Sequence, residues 1–463
     1  MEEQKNTNIV YGVKDRPPVV KVLLFAFQQL LAILAATVAV PAIVKNGMSQ
    51  SAALFGAGIG TLVYLLLTKF KSPVFLGSSF AFIGSMGAAF SGAISVSAGY
   101  LGLLIGAILA GLVYVVLAII VNKVGTNWVN KLMPAIIIGP TVAIIGLTLA
   151  GNAVGDLKVG GIIDEAGVSS ASTWLCLLCG VVTLLVTIAC SVHGKKTLKM
   201  IPFIIGIASG YLLATIFTIF GHIYDVPKLI VIDFSKFNDM KWIPDFAFIK
   251  AFSSFGDFQS FGEFASFLGT VTVAYVPVAF VVFAEHIADH KNLGSIIGAD
   301  LLTEPGLDRT LLGDGIGSMA GAFFGGCPNT TYGESVGTVA ISGNASVITI
   351  VVAACLALIS SFFAPFVTLL ETIPSCVMGG VCVALYGFIA VSGLKMIQSV
   401  DLNDNKNLFV VSVILICGVG GLELALGTAV TITKIACALI MGIIVNIIVH
   451  FHFEKKKKEE ENK

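Results

Sequence analysis

The stretch "NTTYGESVG", from Asn329 to Gly337, lies between two apolar runs, "GSMAGAFFGG" before it and "TVAIS" after it. It places a carboxylate, Glu334, among glycines, threonines and a tyrosine, and Pro328 comes directly before it. Small, β-branched and glycine residues make poor continuous helices. The stretch therefore predicts a broken segment, in which a short extended piece is followed by a half-helix.

The composition of the whole chain indicates a membrane protein. The 463 residues are 56% hydrophobic and 12% charged, and their mean hydropathy is +0.96. Soluble domains are usually about 45–50% apolar and about 25% charged. Apolar runs of about 18 residues, long enough to cross a bilayer, recur along the chain. We expect an all-α polytopic protein in a lipid bilayer, and the net charge of zero gives no reason to expect a nucleic-acid partner.

Hydropathy predicts about fourteen transmembrane segments, several of them short or interrupted by glycine. They lie near residues 19–43, 50–70, 75–92, 99–121, 132–150, 172–191, 200–221, 266–286, 309–325, 331–348, 350–370, 376–397, 408–421 and 428–450.

The charges of the short connections predict the orientation. Basic loops fall at every second boundary, as "KFKS", "NKVGTNWVNK", "HGKKTLK" and "DHKNLG", whereas the alternating loop "SGAISVSAG" has no Lys or Arg. Cytoplasmic loops carry the excess of Lys and Arg. We therefore expect a multi-pass protein of the cell membrane with both termini in the cytoplasm, and a polar N-terminus that is not a cleaved signal.

One long segment, Asp225 to Glu263, is expected outside the membrane. Its "KLIVIDF" stretch has strand-like character, so a small hairpin is possible there. A connector between two halves of the chain is the favoured interpretation.

An internal repeat supports two halves. "LFGAGIGT" at Leu54–Thr61 matches "LLGDGIGS" at Leu311–Ser318, and "SSFAF" at Ser78–Phe82 matches "TTYGE" at Thr330–Glu334, in the same order. About seven segments fall in each half, so the second half would enter the membrane inverted. Inverted repeats are typical of transporters, with the binding site near the midplane at the repeat interface.

The matched pieces are predicted to be broken segments 3 and 10. Extended backbone at membrane depth is tolerated only where it is buried in protein or lines a cavity. Two half-helix N-termini would then direct free backbone N–H groups towards one point. This arrangement predicts a binding site for carbonyl oxygens, and the equivalent aromatics Phe80 and Tyr332 could stack on a flat ring there, although packing is an equal alternative for Tyr332.

Ionisable residues inside the spans are the other candidates. Glu334 has no Lys or Arg near it in sequence, so we expect it to be protonated or to bind N–H donors. In "VVFAEHIADH", Glu285 and Asp289 share a helix face, and desolvation should favour the neutral form of Glu285. Asp289 and His290 are expected nearer the cytoplasmic end of the span, where water screens them.

Other polar groups give weaker signals. Asp314 replaces Ala57 of the repeat and is expected to hold a helix terminus, while Glu371 and Glu423 are expected at span ends. The nine cysteines lie mostly in apolar runs without metal-site spacing, and "AEHIADH" lacks the order of a zinc motif. We expect no metal, no cofactor and no enzymatic activity.

The sequence resembles the nucleobase–ascorbate transporter family, in particular its bacterial uracil permeases. The resemblance runs nearly from end to end and is carried by "GVKDRPP", "AATVAVPAIV", "LGSSFAFI", "VGTNW", "FAEHIADH", "EPGLDRTLLGDGIGSMAGAFFGG", "PNTTYGESVG" and "IPSCVMGG". It implies two inverted repeats of seven segments, a core domain, a gate domain and a homodimer. The implied boundaries are a cytosolic tail at 1–18, core at 19–122, gate at 123–222, an external connector at 223–265, core at 266–375, gate at 376–452 and a cytosolic tail at 453–463.

The resemblance also implies the roles of residues. Glu285 and Glu334 resemble the family's substrate carboxylates, and Phe80 and Gly333 resemble its main-chain contacts. Glu at position 334 resembles the uracil branch, whereas purine carriers usually have Gln. Two positions depart from the family: Asp289, with His290 next, stands where related uracil carriers often have His, and Ser335 stands where Asn is common.

The function expected from these residues is uracil:proton symport, with protons as the coupling ion. Uracil would contact Phe80, Glu285, Tyr332, Gly333 and Glu334, and the proton would be carried among Glu285, Asp289 and His290. A xanthine or urate carrier of the same family is one alternative. An anion transporter of the same architecture is another, although a basic residue would be expected at the crossing instead of Glu.

Overall fold

A computed structural model describes residues 9–126, 128, 134–162, 169–195, 198–199, 201–398, 400–426 and 430–461. The first eight residues of the predicted N-terminal tail, the last two of the C-terminal tail and parts of the "NKVGTNWVNK" and "HGKKTLK" loops lie outside the described residues. One residue of the "VGTNW" motif, Asn127, also lies outside them.

The described chain is mostly helical. Its helices are α1 (Val19–Val44), α2 (Gln50–Leu67), α3 (Ile83–Ser91), α4 (Val96–Val124), α5 (Ala135–Asp156), α6 (Thr173–His193), α7 (Pro202–Ile223), α8 (Ala247–Phe252), α9 (Phe261–Ile297), α10 (Leu307–Gly325), α11 (Gly333–Ser342), α12 (Val347–Ser361), α13 (Ala364–Glu371), α14 (Ser375–Ile397), α15 (Asn405–Val419) and α16 (Lys434–Glu461). The strands are β1 (Leu76–Ser78), β2 (Asn329–Thr331), β3 (Leu424–Leu426) and β4 (Val430–Ile432).

Many of these helices can cross a membrane. Among the described residues, eight helices are long and apolar enough to do so, or nine if α12 and α13, which meet at a bend of 84°, form one span. A helix, or a strand followed by a short helix, lies in each of the fourteen predicted ranges. The polytopic membrane fold is confirmed, and the count of fourteen crossings stays a prediction.

The two predicted broken segments pair with each other. β1 and β2 are antiparallel, with Leu76 opposite Thr331, Gly77 opposite Thr330 and Ser78 opposite Asn329. A 3-10 turn and α3 follow β1, and α11 follows β2. The prediction of a short extended piece followed by a half-helix is confirmed at both places.

The repeated glycine motifs form a helix–helix contact. "LFGAGIGT" lies on α2 and "LLGDGIGS" on α10, and these helices pack directly on each other. A Cβ at Gly60 would lie 2.7 Å from the carbonyl oxygen of Gly317, and one at Gly56 would overlap the carbonyl oxygen of Gly321. Small residues let two backbones approach this closely. Asn329 of β2 donates from Nδ2 to the Gly56 carbonyl oxygen at 3.0 Å, which ties the strand pair to these helices.

The other helices pack in two sets. In one, α10 contacts α2 and α4, α9 contacts α4, and α12 contacts α1 and α2. In the other, α14 contacts α5 and α6, α6 contacts α7, and α15 contacts α5 and α16. The sets meet where α9 contacts α5 and where α1 contacts α7 and α14.

The external segment does not form a hairpin in the described structure. It contains two 3-10 turns, Pro227–Leu229 and Phe234–Asp239, followed by α8. The backbone N–H groups of Val231 and Ile232 donate to Thr218 Oγ1 of α7. The apolar "KLIVIDF" residues therefore pack on a helix instead of pairing with a second strand. The described hairpin is β3–β4, with Leu424 opposite Ile432; β4 lies within the predicted helical segment 428–450, and β3 lies in the connection before it.

Helix α9 is longer than hydropathy predicted. It continues past 286 to Ile297 and ends at Gly298, which is left-handed with φ +70°. The stretch "DHKNLG", predicted as a cytoplasmic loop, lies within this helix, so that prediction is wrong. Hydropathy missed the extension because its polar residues lower the mean hydropathy whether they are buried, as His290 is, or exposed, as Lys291 is.

The contact between α2 and α10 yields a stability prediction. Gly56→Ala should lower the free energy of unfolding by about 1–3 kcal/mol, because the new Cβ overlaps backbone and not a flexible side chain. The measurement is thermal unfolding of the detergent-purified protein. Gly151→Ala on α5 is the matched control, since a Cβ there meets nothing within 4 Å. Equal melting temperatures for the two variants would contradict the close packing.

Candidate functional site

A cavity lies where the β1–β2 crossing meets α9 and α14. Its volume is about 360 Å³, within the usual range of about 300–1,000 Å³ for small-molecule sites. The wall combines polar residues of the first packing set with apolar residues of the second. It includes Phe80, Glu285, Asp289, Asn292, Thr330, Thr331, Tyr332, Gly333, Glu334, Val142, Phe203 and Phe388.

The half-helix α11 begins at the cavity wall. Gly333 is its first residue, Glu334 lies in its first turn, and both line the cavity. The first N–H groups of a helix have no acceptor within the helix and carry its positive dipole end. The start of α11 therefore favours carbonyl oxygens or negative charge in the cavity.

Three carboxylates face this cavity. Glu285 and Asp289 lie one turn apart on α9, and Glu334 lies on α11. They are close enough for their charges to interact. The structure thus brings the sequence-predicted acids of segments 8 and 10 into one site.

Asp289 lies in the cavity wall. Its Oδ2 accepts a hydrogen bond from Thr331 Oγ1 at 2.7 Å, and its Oδ1 would lie 3.9 Å from a Cβ built on Gly333. Asp289 is half-buried, and α9 continues eight residues beyond it. Its expected position near the cytoplasmic surface stays a prediction.

His290 lies behind the cavity wall. It is 0% exposed and is absent from the cavity lining among the described residues. Its Nδ1 donates to the carbonyl oxygen of His286 at 2.8 Å, because a carbonyl can only accept, and its Nε2 lies 2.7 Å from the Tyr64 hydroxyl. Water therefore does not screen His290 as expected, whereas its position near the cytoplasmic end and its proton-carrying role stay predictions.

A buried His–Asp pair next to the site was not anticipated. His286 Nδ1 lies 2.7 Å from Asp314 Oδ2, and its Nε2 lies 3.0 Å from Thr310 Oγ1. Asp314 therefore sits within α10 and does not hold a helix terminus as expected. The sequence offered no signal for this pair, since 28 residues separate its members.

Tyr332 holds the strand crossing together. Its hydroxyl donates to the carbonyl oxygen of Ser78 at 2.7 Å, and its ring covers Gly77, where any Cβ would overlap it. Only 3% of Tyr332 is exposed. Tyr332 therefore positions β1 against β2 from the cavity wall, and stacking on a ligand stays a prediction.

Phe80 lies between the crossing and the second packing set. Its ring meets Tyr386 of α14 edge-on, with centroids 5.5 Å apart. The predicted site residues Phe80, Glu285, Gly333 and Glu334 thus share one cavity. Sequence reasoning missed several other polar members of the lining: Ser191, the exposed Lys199, Asn292, Thr330, Thr331, Thr338 and Ser392. Among the described residues, no group of His, Cys, Asp or Glu could hold a metal ion.

Comparison with known proteins shows the family. A model described as "Permease family" matches residues 20–427. The uracil permease of Bacillus caldolyticus is 38% identical over 443 residues, which cover 95% of this chain and 94% of that protein. The uracil permease of Bacillus subtilis (strain 168) is 36% identical over 450 residues, covering 96% of each chain.

Solved structures show the same fold at low identity. The transmembrane domain of the cyanobacterial bicarbonate transporter BicA has a TM-score of 0.60 at 15% identity, covering 94% of this chain and 99% of that one. The murine anion transporter Slc26a9 in its inward-facing state has a TM-score of 0.61 at 13% identity, covering 95% of this chain and 69% of that one. At these identities the likeness extends to the fold alone. The motif resemblance is confirmed by the family match: the chain belongs to the Permease family and is a membrane permease, not an enzyme.

Proposed function

We propose that this permease imports uracil together with protons by alternating access. The observation that carries the proposal is the shared cavity, in which Glu285 and Glu334 from two different elements lie beside the start of α11. The relatives named uracil permease, at 36–38% identity over nearly the whole chain, support uracil as the substrate.

Uracil and the cavity are chemically complementary. Uracil presents N–H donors and C=O acceptors in one plane. Carboxylates accept from N–H groups, and backbone N–H groups of Gly333 and Phe80 can donate to the carbonyls. Phe80, Phe203 and Phe388 give the cavity aromatic surface on which the flat ring can pack.

The acids also suit proton coupling. Three carboxylates share a cavity with apolar walls, where keeping all of them charged is costly because water is partly excluded. A neutral substrate does not offset this charge. Proton uptake by one of the acids is therefore a natural accompaniment of uracil binding.

Alternating access would use the two packing sets. In this proposal residues 19–122 and 266–375 form the core domain, residues 123–222 and 376–452 form the gate domain, and residues 223–265 connect them. The acids lie on the core side of the cavity, whereas Val142, Phe203 and Phe388 lie on the gate side. Movement of one domain against the other would open the cavity to one face of the membrane at a time.

The orientation of the two paired strands bears on the internal repeat of the protein. Antiparallel pairing of β1 and β2 supports two inverted seven-segment repeats, because equivalent strands of inverted halves run in opposite directions. The protein would be a homodimer in the cell membrane with both termini in the cytoplasm.

Two alternatives have different substrates. A xanthine or urate carrier would use the same cavity, and an anion transporter would share the fold of BicA and Slc26a9. The carboxylates argue against an anion, because they would repel it. Among the described residues, the lining contains a single lysine to attract an anion, the exposed Lys199. Uptake of labelled uracil, xanthine, urate, bicarbonate and sulfate into proteoliposomes tests all three. Uptake of a purine or an anion without uracil uptake would overturn the proposal.

Replacing Glu334 tests substrate recognition. Glu334→Gln keeps the size of the side chain but directs an amide donor at a substrate donor. Uracil binding should weaken by about 1.5–3 kcal/mol, the contribution of a charge-assisted hydrogen bond. The measurement is calorimetric titration of the purified protein with uracil. Unchanged affinity would remove Glu334 from the recognition site.

Replacing Gly333 tests the close approach of the backbone. A Cβ at Gly333 meets only Asp289 Oδ1, at an ordinary 3.9 Å, so Gly333→Val should fold with a nearly unchanged melting temperature. Its side chain would occupy cavity space at the start of α11, and uracil uptake should be lost. A Val variant that folds and transports normally would contradict this role.

Replacing Glu285 tests proton coupling. Glu285→Gln should abolish uracil accumulation driven by a pH gradient, because a side chain that cannot exchange a proton cannot carry one. Uptake into proteoliposomes with an acidic exterior is compared with uptake without a gradient. If Glu285→Gln still responds to the gradient, the proton is carried elsewhere. Asp289 would be the next candidate, since it shares the cavity.

A further inference from the structure

A hydrogen bond joins the strand of segment 10 to α9. Thr331 Oγ1 of β2 donates to Asp289 Oδ2 at 2.7 Å, and Thr331 is only 1% exposed. A hydroxyl has one proton, so this donation uses it fully. The other oxygen of the same carboxylate, Oδ1, lies beside Gly333, where α11 begins.

The Thr331 hydroxyl donates to a carboxylate that is surrounded by other acids. Three further acids lie close to Asp289: Glu285 on its own helix, Glu334 on α11 and Asp314 on α10. Lys199 lies at the exposed edge of the cavity. The Thr331 hydroxyl is therefore a fixed, neutral donor in a carboxylate-rich site, and charge-assisted hydrogen bonds of this type are short and directional.

We propose that Thr331 is a positioning residue that holds Asp289 in one orientation. Oδ2 is committed to Thr331, which leaves Oδ1 facing the start of α11 for a proton or a substrate N–H. The same bond fixes β2 to α9, so that the acids of segments 8 and 10 keep their relative positions. The transport readout of this inference rests on the proposed function, whereas the hydrogen bond itself does not.

The first test removes the hydroxyl and then restores it. Thr331→Val keeps the shape of the side chain but loses the donor, and its kcat/KM for uracil uptake should fall roughly tenfold. Thr331→Ser keeps the donor and should retain most of the activity. Thr272→Val on α9, the helix that carries Asp289, is the control, because the Thr272 hydroxyl donates to a carbonyl oxygen of its own helix, that of Leu268. A Ser variant as impaired as the Val variant would overturn the proposal.

A double-mutant cycle identifies the partner. If Thr331 acts through Asp289, then Thr331→Val should have little further effect in an Asp289→Ala background, in which no side-chain acceptor remains. Uracil binding to the purified proteins gives the four affinities, so the cycle does not need active transport. Additive losses would overturn the proposal.

Infrared spectroscopy gives a readout that is independent of substrate. The carboxyl stretching band that disappears in Asp289→Asn belongs to Asp289. It should shift in Thr331→Val and return in Thr331→Ser, and an unmoved band would overturn the inference. If the parent protein binds no uracil, the proposed function fails while this spectroscopic test still decides the role of Thr331. Should Thr331→Val fail to fold, Thr331→Ala replaces it in each experiment.

Discussion

The structure depends on the pairing of two interrupted segments at membrane depth. In hydrocarbon an unpaired backbone N–H or C=O group costs several kcal/mol, so an extended piece needs partners. β1 and β2 supply each other's partners, although they lie about 250 residues apart in the chain. Neither half of the molecule can satisfy its interrupted segment alone. The two halves must therefore fold together, and the cavity forms at their contact.

Side chains of α1, α2 and α11 add hydrogen bonds at the pairing of β1 with β2. Ser335 Oγ of α11 accepts from the Phe75 N–H at 3.1 Å, and Thr61 Oγ1 of α2 accepts from the Leu76 N–H at 2.9 Å. Gln29 of α1 donates to the Ser335 carbonyl oxygen at 3.3 Å. Ser335 is one of the two positions that depart from the family pattern, and here its hydroxyl joins segment 10 to the strand of segment 3. These hydrogen bonds and the glycine contact of α2 with α10 fix the direction in which α11 begins. A site whose donors are backbone N–H groups requires such a fixed direction.

Helix α9 directs adjacent polar residues to two different surroundings, the cavity and the buried contact with α10 and α2. Neighbouring residues of a helix lie about 100° apart around its axis. Glu285 and Asp289 consequently face the cavity, while His286 and His290 face α10 and α2, where Asp314 and Tyr64 are their partners. The acids that can contact a ligand are thus supported from behind by a buried polar network. The hydrogen bonds of His286 and His290 favour one rotation of α9 about its axis, although Asp314 Oδ1 has no hydrogen-bond partner among the described residues.

Composition and local pattern were enough to predict the class of protein, the broken segments and the acids Glu285, Asp289 and Glu334 that line the cavity. Composition and apolar runs reflect the solvent around each residue, and the glycine, threonine and proline content of "NTTYGE" is a local property of the backbone. The α9 extension, the β3–β4 hairpin and the His286–Asp314 pair were not predictable in this way. Hydropathy cannot distinguish a polar residue that faces water from one that faces a buried partner, and only the folded chain supplies that partner. Thr331 shows the same limit: in sequence it is one of two adjacent threonines, and only the packing of β2 on α9 decides that this one meets Asp289.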